Sequence, residues 1–123
     1  MKIFKALMFF ALAGFIFCSC EYEWITPEKT PIPDNVSFSA DVMPIFSNGC
    51  NVGVCHGAGG TAPDLSEGNA YNSLTTGGFV DLDTPEASII YTSMTTGSME
   101  PYVSNAGDPD IILAWIKQGA LDN

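Results

Sequence analysis

Apolar residues recur in this chain at helical spacing, in short clusters separated by Gly-, Thr- and Pro-rich stretches, and nowhere alternate convincingly as a strand would. A period near 3.6 buries one face of a helix, whereas a half-buried strand needs a period of 2. The clearest cluster is GDPDIILAWIKQGALDN at 107–123. Asp108 reads as its cap, Pro109 as the first helical residue, and Asp110 as an acid at the positive end of the dipole. Ile111 and Trp115 stack at i, i+4, as do Ile112 and Ile116, and Lys117 and Gly119 suit the closing end.

Three weaker clusters precede it. VSFSADVMPIFSNG (36–49) places Phe38, Val42, Ile45 and Phe46 on one face, with Ser37 or Ser39 as cap and Gly49 as stop. Pro44 has no N–H, so it belongs in a first turn or at a kink. LSEGNAYNSLTTGG (65–78) predicts a short helix capped by Ser66, with Ala70, Tyr71 and Leu74 inward and Gly77-Gly78 at its end. DTPEASIIYTSMTTG (83–97) predicts another, with Thr84 as cap, Pro85 first, and Ile89, Ile90 and Tyr91 buried. The expectation is an all-α domain of about four short helices over residues 36–123. A domain this small with loops this long has little core of its own, which leaves its centre for something else to fill.

The first 35 residues read differently. Lys2 and Lys5 precede an apolar run from Ala6 to Phe17, the pattern of a secretory signal. The run falls short of the roughly 20 apolar residues that a membrane span needs. Ser19-Cys20 at its end resembles the signal of bacterial lipoproteins, although Phe17 and Cys18 stand where Leu and a small residue are usual. That resemblance implies that Cys20 becomes the first mature residue and carries lipid chains, which hold a protein on a membrane through their buried CH2 groups. EYEWITPEKTPIPDN (21–35), with three prolines, reads as a semi-extended tether. The expected organisation is a signal peptide at 1–19, a lipidated tether at 20–35 and a domain at 36–123, exported and anchored in the periplasm or at the cell surface.

Charge narrows the partners. The basic residues are Lys2, Lys5, Lys29 and Lys117, and loss of the signal leaves two of them against 14 acids, a net charge of −12. Nucleic-acid binding depends on Lys and Arg at phosphates, so that class is excluded. A partner protein with a basic docking patch, or plain solubility, suits such a surface.

GCNVGVCHGAGG (49–60) holds Cys50, Cys55 and His56, the last being the single histidine of the chain. Three readings fit. In an exported protein Cys50 and Cys55 can join as a disulfide. Structural zinc wants four ligands, and with Cys20 lipidated the chain offers three soft ones, so Asp or water would have to complete the set. The third reading is covalent haem, whose usual attachment spacing is C-x-x-C-H. Here the spacing is C-x4-C-H, and Gly53 eases the bulge of the two additional residues, with Asn51 and Val52 expected to point outward. An iron with one histidine wants a sixth ligand, and Met99, in a loop after Gly97 and stiffened by Pro101, is the candidate sulfur. Met43 and Met94 read as packing residues, and Asp81 and Asp83 as solvated loop acids.

From Ser37 onward the order FSADVMPIF, CNVGVCHG, APDL, two short helices, GSMEP and DIILAWIKQGA resembles a single-haem c-type cytochrome domain. The resemblance implies a cytochrome c-like fold around one covalently attached haem, and one-electron transfer rather than enzymatic turnover. It implies thioethers at Cys50 and Cys55, His56 as proximal ligand, the Pro63 carbonyl on the other His56 nitrogen, Leu65 against the ring and Met99 as distal ligand. It also implies a redox partner protein. The family usually has proline directly after the methionine, where this chain has Glu100. Two rival readings stay open: a haem-free lipoprotein with a Cys50–Cys55 disulfide acting as a binding or structural module, and a haem enzyme or gas sensor with an open sixth position.

Overall fold

The computed structural model describes residues 31–123. The expected signal peptide, lipidated Cys20 and all of the tether but its last five residues lie outside the described residues. Among those described, the fold is all-α: no strand occurs. Four α-helices form, α1 (Met43–Ser47), α2 (Ala70–Thr76), α3 (Ile89–Thr95) and α4 (Asp108–Lys117). Short 3-10 turns at Pro85–Ala87 and Glu100–Tyr102 stand before and after α3.

α1 is entered through a π-helical turn, Phe38–Val42. Ser37 caps it: its Oγ accepts the Ala40 N–H at 3.2 Å, while the Asp41 carboxylate accepts the Ser37 N–H at 2.7 Å. The wider turn gives way to α geometry next to Pro44, whose missing N–H would break an uninterrupted α ladder from Ser37 onward. Phe38, Val42, Ile45 and Phe46 are all buried, as their spacing predicts.

α2 buries Ala70 and Leu74. Ser66 does not cap it through a backbone amide: its hydroxyl donates to Asp64 and accepts only the Asn69 side-chain amide, while its carbonyl accepts the Asn69 and Ala70 N–H groups at 3.1 and 3.0 Å. The predicted third helix is divided in two. Pro85–Ala87 is a 3-10 turn, Ser88 adopts an extended ψ of 130°, and α3 begins beyond it. Ser88 is buried and binds the Asp81 N–H through Oγ at 2.9 Å, so a local polar bond outcompetes helix continuation. The break turns Ile89 outward, 52% exposed, and leaves Ile90 and Met94 as the buried i, i+4 pair.

α4 supplies the centre with Ile111, Ile112, Trp115 and Ile116, all buried. Asp108 is the first helical residue rather than a cap for its own helix, and its buried carboxylate accepts the Asn105 backbone N–H at 3.2 Å. The far end closes on Gly119, φ 99°. The Gly119 N–H reaches Ile116 O and the Ala120 N–H reaches Trp115 O, the paired bonds of a Schellman stop.

Phe38, Tyr71 and Trp115 meet at the middle of the core, with Phe38 5.3 Å from Tyr71 and 5.2 Å from Trp115, centroid to centroid. One ring comes from the first turn, one from α2 and one from α4, so these elements share a single aromatic contact. The chain's own side chains thus build one continuous core around these rings. Residues 120–123 then act as acceptors for the rest. Ala120 O takes the Tyr71 hydroxyl, Leu121 O takes the Trp115 indole N–H at 2.9 Å, and Asn123 takes the Phe38 N–H on Oδ1 and the Ser39 N–H on its carbonyl.

Candidate functional site

The chain leaving α1 turns sharply at Gly49, φ 124°, and folds residues 50–65 into a compact knot. Cys50 and Asn51 both donate their N–H to Phe46 O. The His56 N–H returns to Cys50 O, the Thr61 N–H to Cys55 O at 2.7 Å, and the Leu65 N–H to His56 O at 2.6 Å. These bonds bring Cys50, Cys55, His56, Pro63 and Leu65 into one unit.

Two glycines make the knot sterically feasible. A Cβ on Gly57 would lie 2.7 Å from Asn51 O, and one on Gly60 would lie 2.5 Å from Cys55 O. Gly53, the expected aid to the bulge, is different: a Cβ there meets nothing within 4 Å, and its backbone is not left-handed. The constraint falls on the glycines after His56, because the loop packs onto itself there. Val54 at the tip is 90% exposed and Val52 is also exposed, while Asn51 is half-buried.

Cys55 is exposed, Cys50 is half-buried, and both are free thiols. Cys50 Sγ faces Ile45 O at 4.0 Å, too long for more than a weak contact. Burial pushes the Cys50 thiol above its ordinary pKa, with Asp108 and Cys55 adding to the rise. Cys50 is therefore held as a neutral thiol at neutral pH.

His56 is half-buried, and its Nδ1 lies 3.0 Å from Thr61 O and 3.1 Å from Pro63 O. A carbonyl oxygen only accepts, so Nδ1 carries the proton in both contacts. In the neutral ring the lone pair then sits on Nε2, which makes no hydrogen bond among the described residues. Pro63 and Leu65 are buried, Leu65 as part of the main core.

Met99 lies in another segment, between α3 and the Glu100–Tyr102 turn, with its N–H on Ser93 O. It is half-buried, and no hydrogen bond joins its segment to the 50–65 knot. Further along, the Ser104 hydroxyl donates to Asn48 O at 3.2 Å. Met94 is 6% exposed in the core, and Met43 is half-buried against it. Asp81 is exposed, and its Oδ1 accepts the N–H groups of Asp83 and Thr84, which makes it a turn-former.

A groove of about 560 Å3 opens between α1 and the start of α4, bordered by Ile45, Ile111, Asn48 and Asn105, with Asp41 and Asp108. None of His56, Pro63, Leu65 or Met99 lines it. Among the described residues no group of three or more His, Cys, Asp or Glu is placed to hold a metal ion. A zinc site needs such a group, whereas a haem iron needs one imidazole and one further donor. No helix among the described residues is long and apolar enough to cross a membrane.

No residue type marks Thr61, which acts through a carbonyl that any residue possesses, nor Ser73, whose hydroxyl meets the Asp64 N–H from a helix nine residues on. The D-x-S spacing at 64–66 is a turn signal that could have pointed to Asp64, whose Oδ1 accepts both the N–H and the hydroxyl of Ser66. Those bonds hold the Asp64 carboxyl below the usual aspartate range. At significant similarity the chain matches no protein-family model, no curated protein and no solved structure.

Proposed function

We propose that residues 36–123 form a c-type cytochrome domain that carries single electrons. The observation that carries this reading is the His56 ring: two carbonyls fix the proton on Nδ1, so the lone pair on Nε2 is free to bind iron, directly after an exposed cysteine. Cys50 and Cys55 would hold a haem covalently through their sulfurs, and His56 and Met99 would bind its iron. Bound haem supplies one reversible electron at its iron. The chain's residues do the rest. Thr61 and Pro63 orient the imidazole, Leu65 excludes water beneath it, and the acidic surface orients a basic redox partner.

In the same reading, residues 1–19 direct export, lipid on Cys20 anchors the chain, and the 20–35 tether lets the domain reach its partner from a periplasmic or cell-surface membrane. The test is expression in a host competent in cytochrome maturation. The expected product is red, and its haem stays with the protein through denaturation and acid-solvent extraction. Colourless protein with Cys50 and Cys55 joined as a disulfide overturns the reading in favour of a haem-free module.

A further inference from the structure

The Pro63–Asp64 peptide is held at both ends. Its carbonyl accepts from His56 Nδ1 at 3.1 Å, and its N–H donates to Ser73 Oγ, on α2, at 2.8 Å. A peptide group is planar, so fixing the direction of the N–H fixes the direction of the C=O. A hydrogen bond at the N–H also polarises the group and makes its oxygen the better acceptor. The Asp64 side chain braces the same unit. Its Oδ1 accepts the Ser66 N–H at 2.9 Å and the Ser66 hydroxyl, and its Oδ2 accepts Nδ2 of Asn69, the residue before α2, at 3.2 Å. On the far side, the Leu65 N–H closes onto His56 O. Asp64 thus stands between Pro63 and Leu65, both of which bond to His56, and is itself bound to the start of α2.

We propose that Ser73 is a positioning residue for His56: its hydroxyl sets the plane of the Pro63–Asp64 peptide and so aims the Pro63 carbonyl at Nδ1, with the Asp64 carboxylate as the brace. α2 is thereby the element that orients the imidazole, although it contributes no group to the ring. This deepens the haem reading, and its redox arm rests on that reading. The tautomer arm does not, because the His56 ring is held in the chain by itself.

The experiment uses the full chain labelled with nitrogen-15. In haem-free protein the ring nitrogens of His56 report an Nδ1–H tautomer. Ser73→Ala moves part of the population to Nε2–H, the form that unconstrained imidazole prefers; Thr61 O remains, so the shift is partial. Ser73→Thr, which keeps the hydroxyl, restores the wild-type ring signals. In haem-loaded protein Ser73→Ala raises the reduction potential, because a weaker bond at Nδ1 makes His56 a poorer donor to oxidised iron. Should Ser73→Ala fail to fold, Asp64→Ala carries the same ring-nitrogen expectation, with Asp64→Asn as its rescue through the retained Oδ1 acceptor. Folded variants with unmoved His56 nitrogens overturn the inference, as does a shift that Ser73→Thr does not reverse. A wild type that takes up no haem refutes the haem reading, and the tautomer measurement still decides this one.

Discussion

His56 owes its chemistry to two carbonyls, not to a neighbouring charge, and only one of them belongs to a residue that the sequence singled out. The imidazole stands out because it is alone in the chain and follows a cysteine. The methionines are harder to rank from sequence, since three follow the expected signal and lipidated cysteine, Met43, Met94 and Met99. Burial separates two of them: Met94 lies in the core, while Met99 is half-buried in a loop. Met99→Ala is expected to remove the weak near-infrared sulfur-to-iron band of the oxidised protein, lower its potential and open the iron to CO. Met94→Ala is expected to keep that band and cost about 2–5 kcal/mol of stability in a denaturant titration. Loss of the band in Met94→Ala, with its retention in Met99→Ala, would move the ligand into α3.

Between residues 50 and 65 the element is a loop, yet its steric demands are as strict as those of a helix. Gly60→Ala drives a Cβ into Cys55 O, Gly53 O and Gly57 O, all backbone atoms that no rotamer change can move aside. It is expected to cost about 1–3 kcal/mol and to reduce haem incorporation, whereas Gly53→Ala, with open space around its Cβ, is expected to behave as wild type in both assays. Sequence pattern did not separate these glycines, because the close approach is set by backbone hydrogen bonds among residues far less than a helix apart. The helices were more legible. Four apolar faces were visible from spacing; those of the first turn with α1 and of α4 are buried as expected, and α2 buries Ala70 and Leu74 but leaves Tyr71 half-buried. Where the pattern misled, a local polar bond decided: Ser88 on Asp81 breaks the third helix and exposes Ile89, and Asp108 turns to Asn105 instead of capping α4. Such competition between side chain and backbone leaves no trace in hydrophobic periodicity.

As a whole the domain is closed by its two ends. Val36 N–H donates to Gln118 Oε1 at 2.8 Å, and the opening turn of the first helix is capped from residue 123 as well as by Ser37. Asn123→Ala removes the Oδ1 acceptor of Phe38 and is expected to cost about 0.5–2 kcal/mol, read as a fall in the midpoint of thermal unfolding with no change in any haem spectrum. The proposed lipid anchor is tested at this scale too. Cys20→Ala is expected to leave the domain folded and release it from membranes; full sedimentation of the variant with membranes in both low and high salt would count against the lipid anchor. The clamp between 37–39 and 123 also sets a timetable. A chain made, or threaded through a channel, from its N-terminus presents the Phe38 and Ser39 amides long before their acceptors exist. Trp115 and the carbonyl that receives its indole arrive equally late. Until residues 121–123 are made, these donors lack the acceptors that they have in the finished fold.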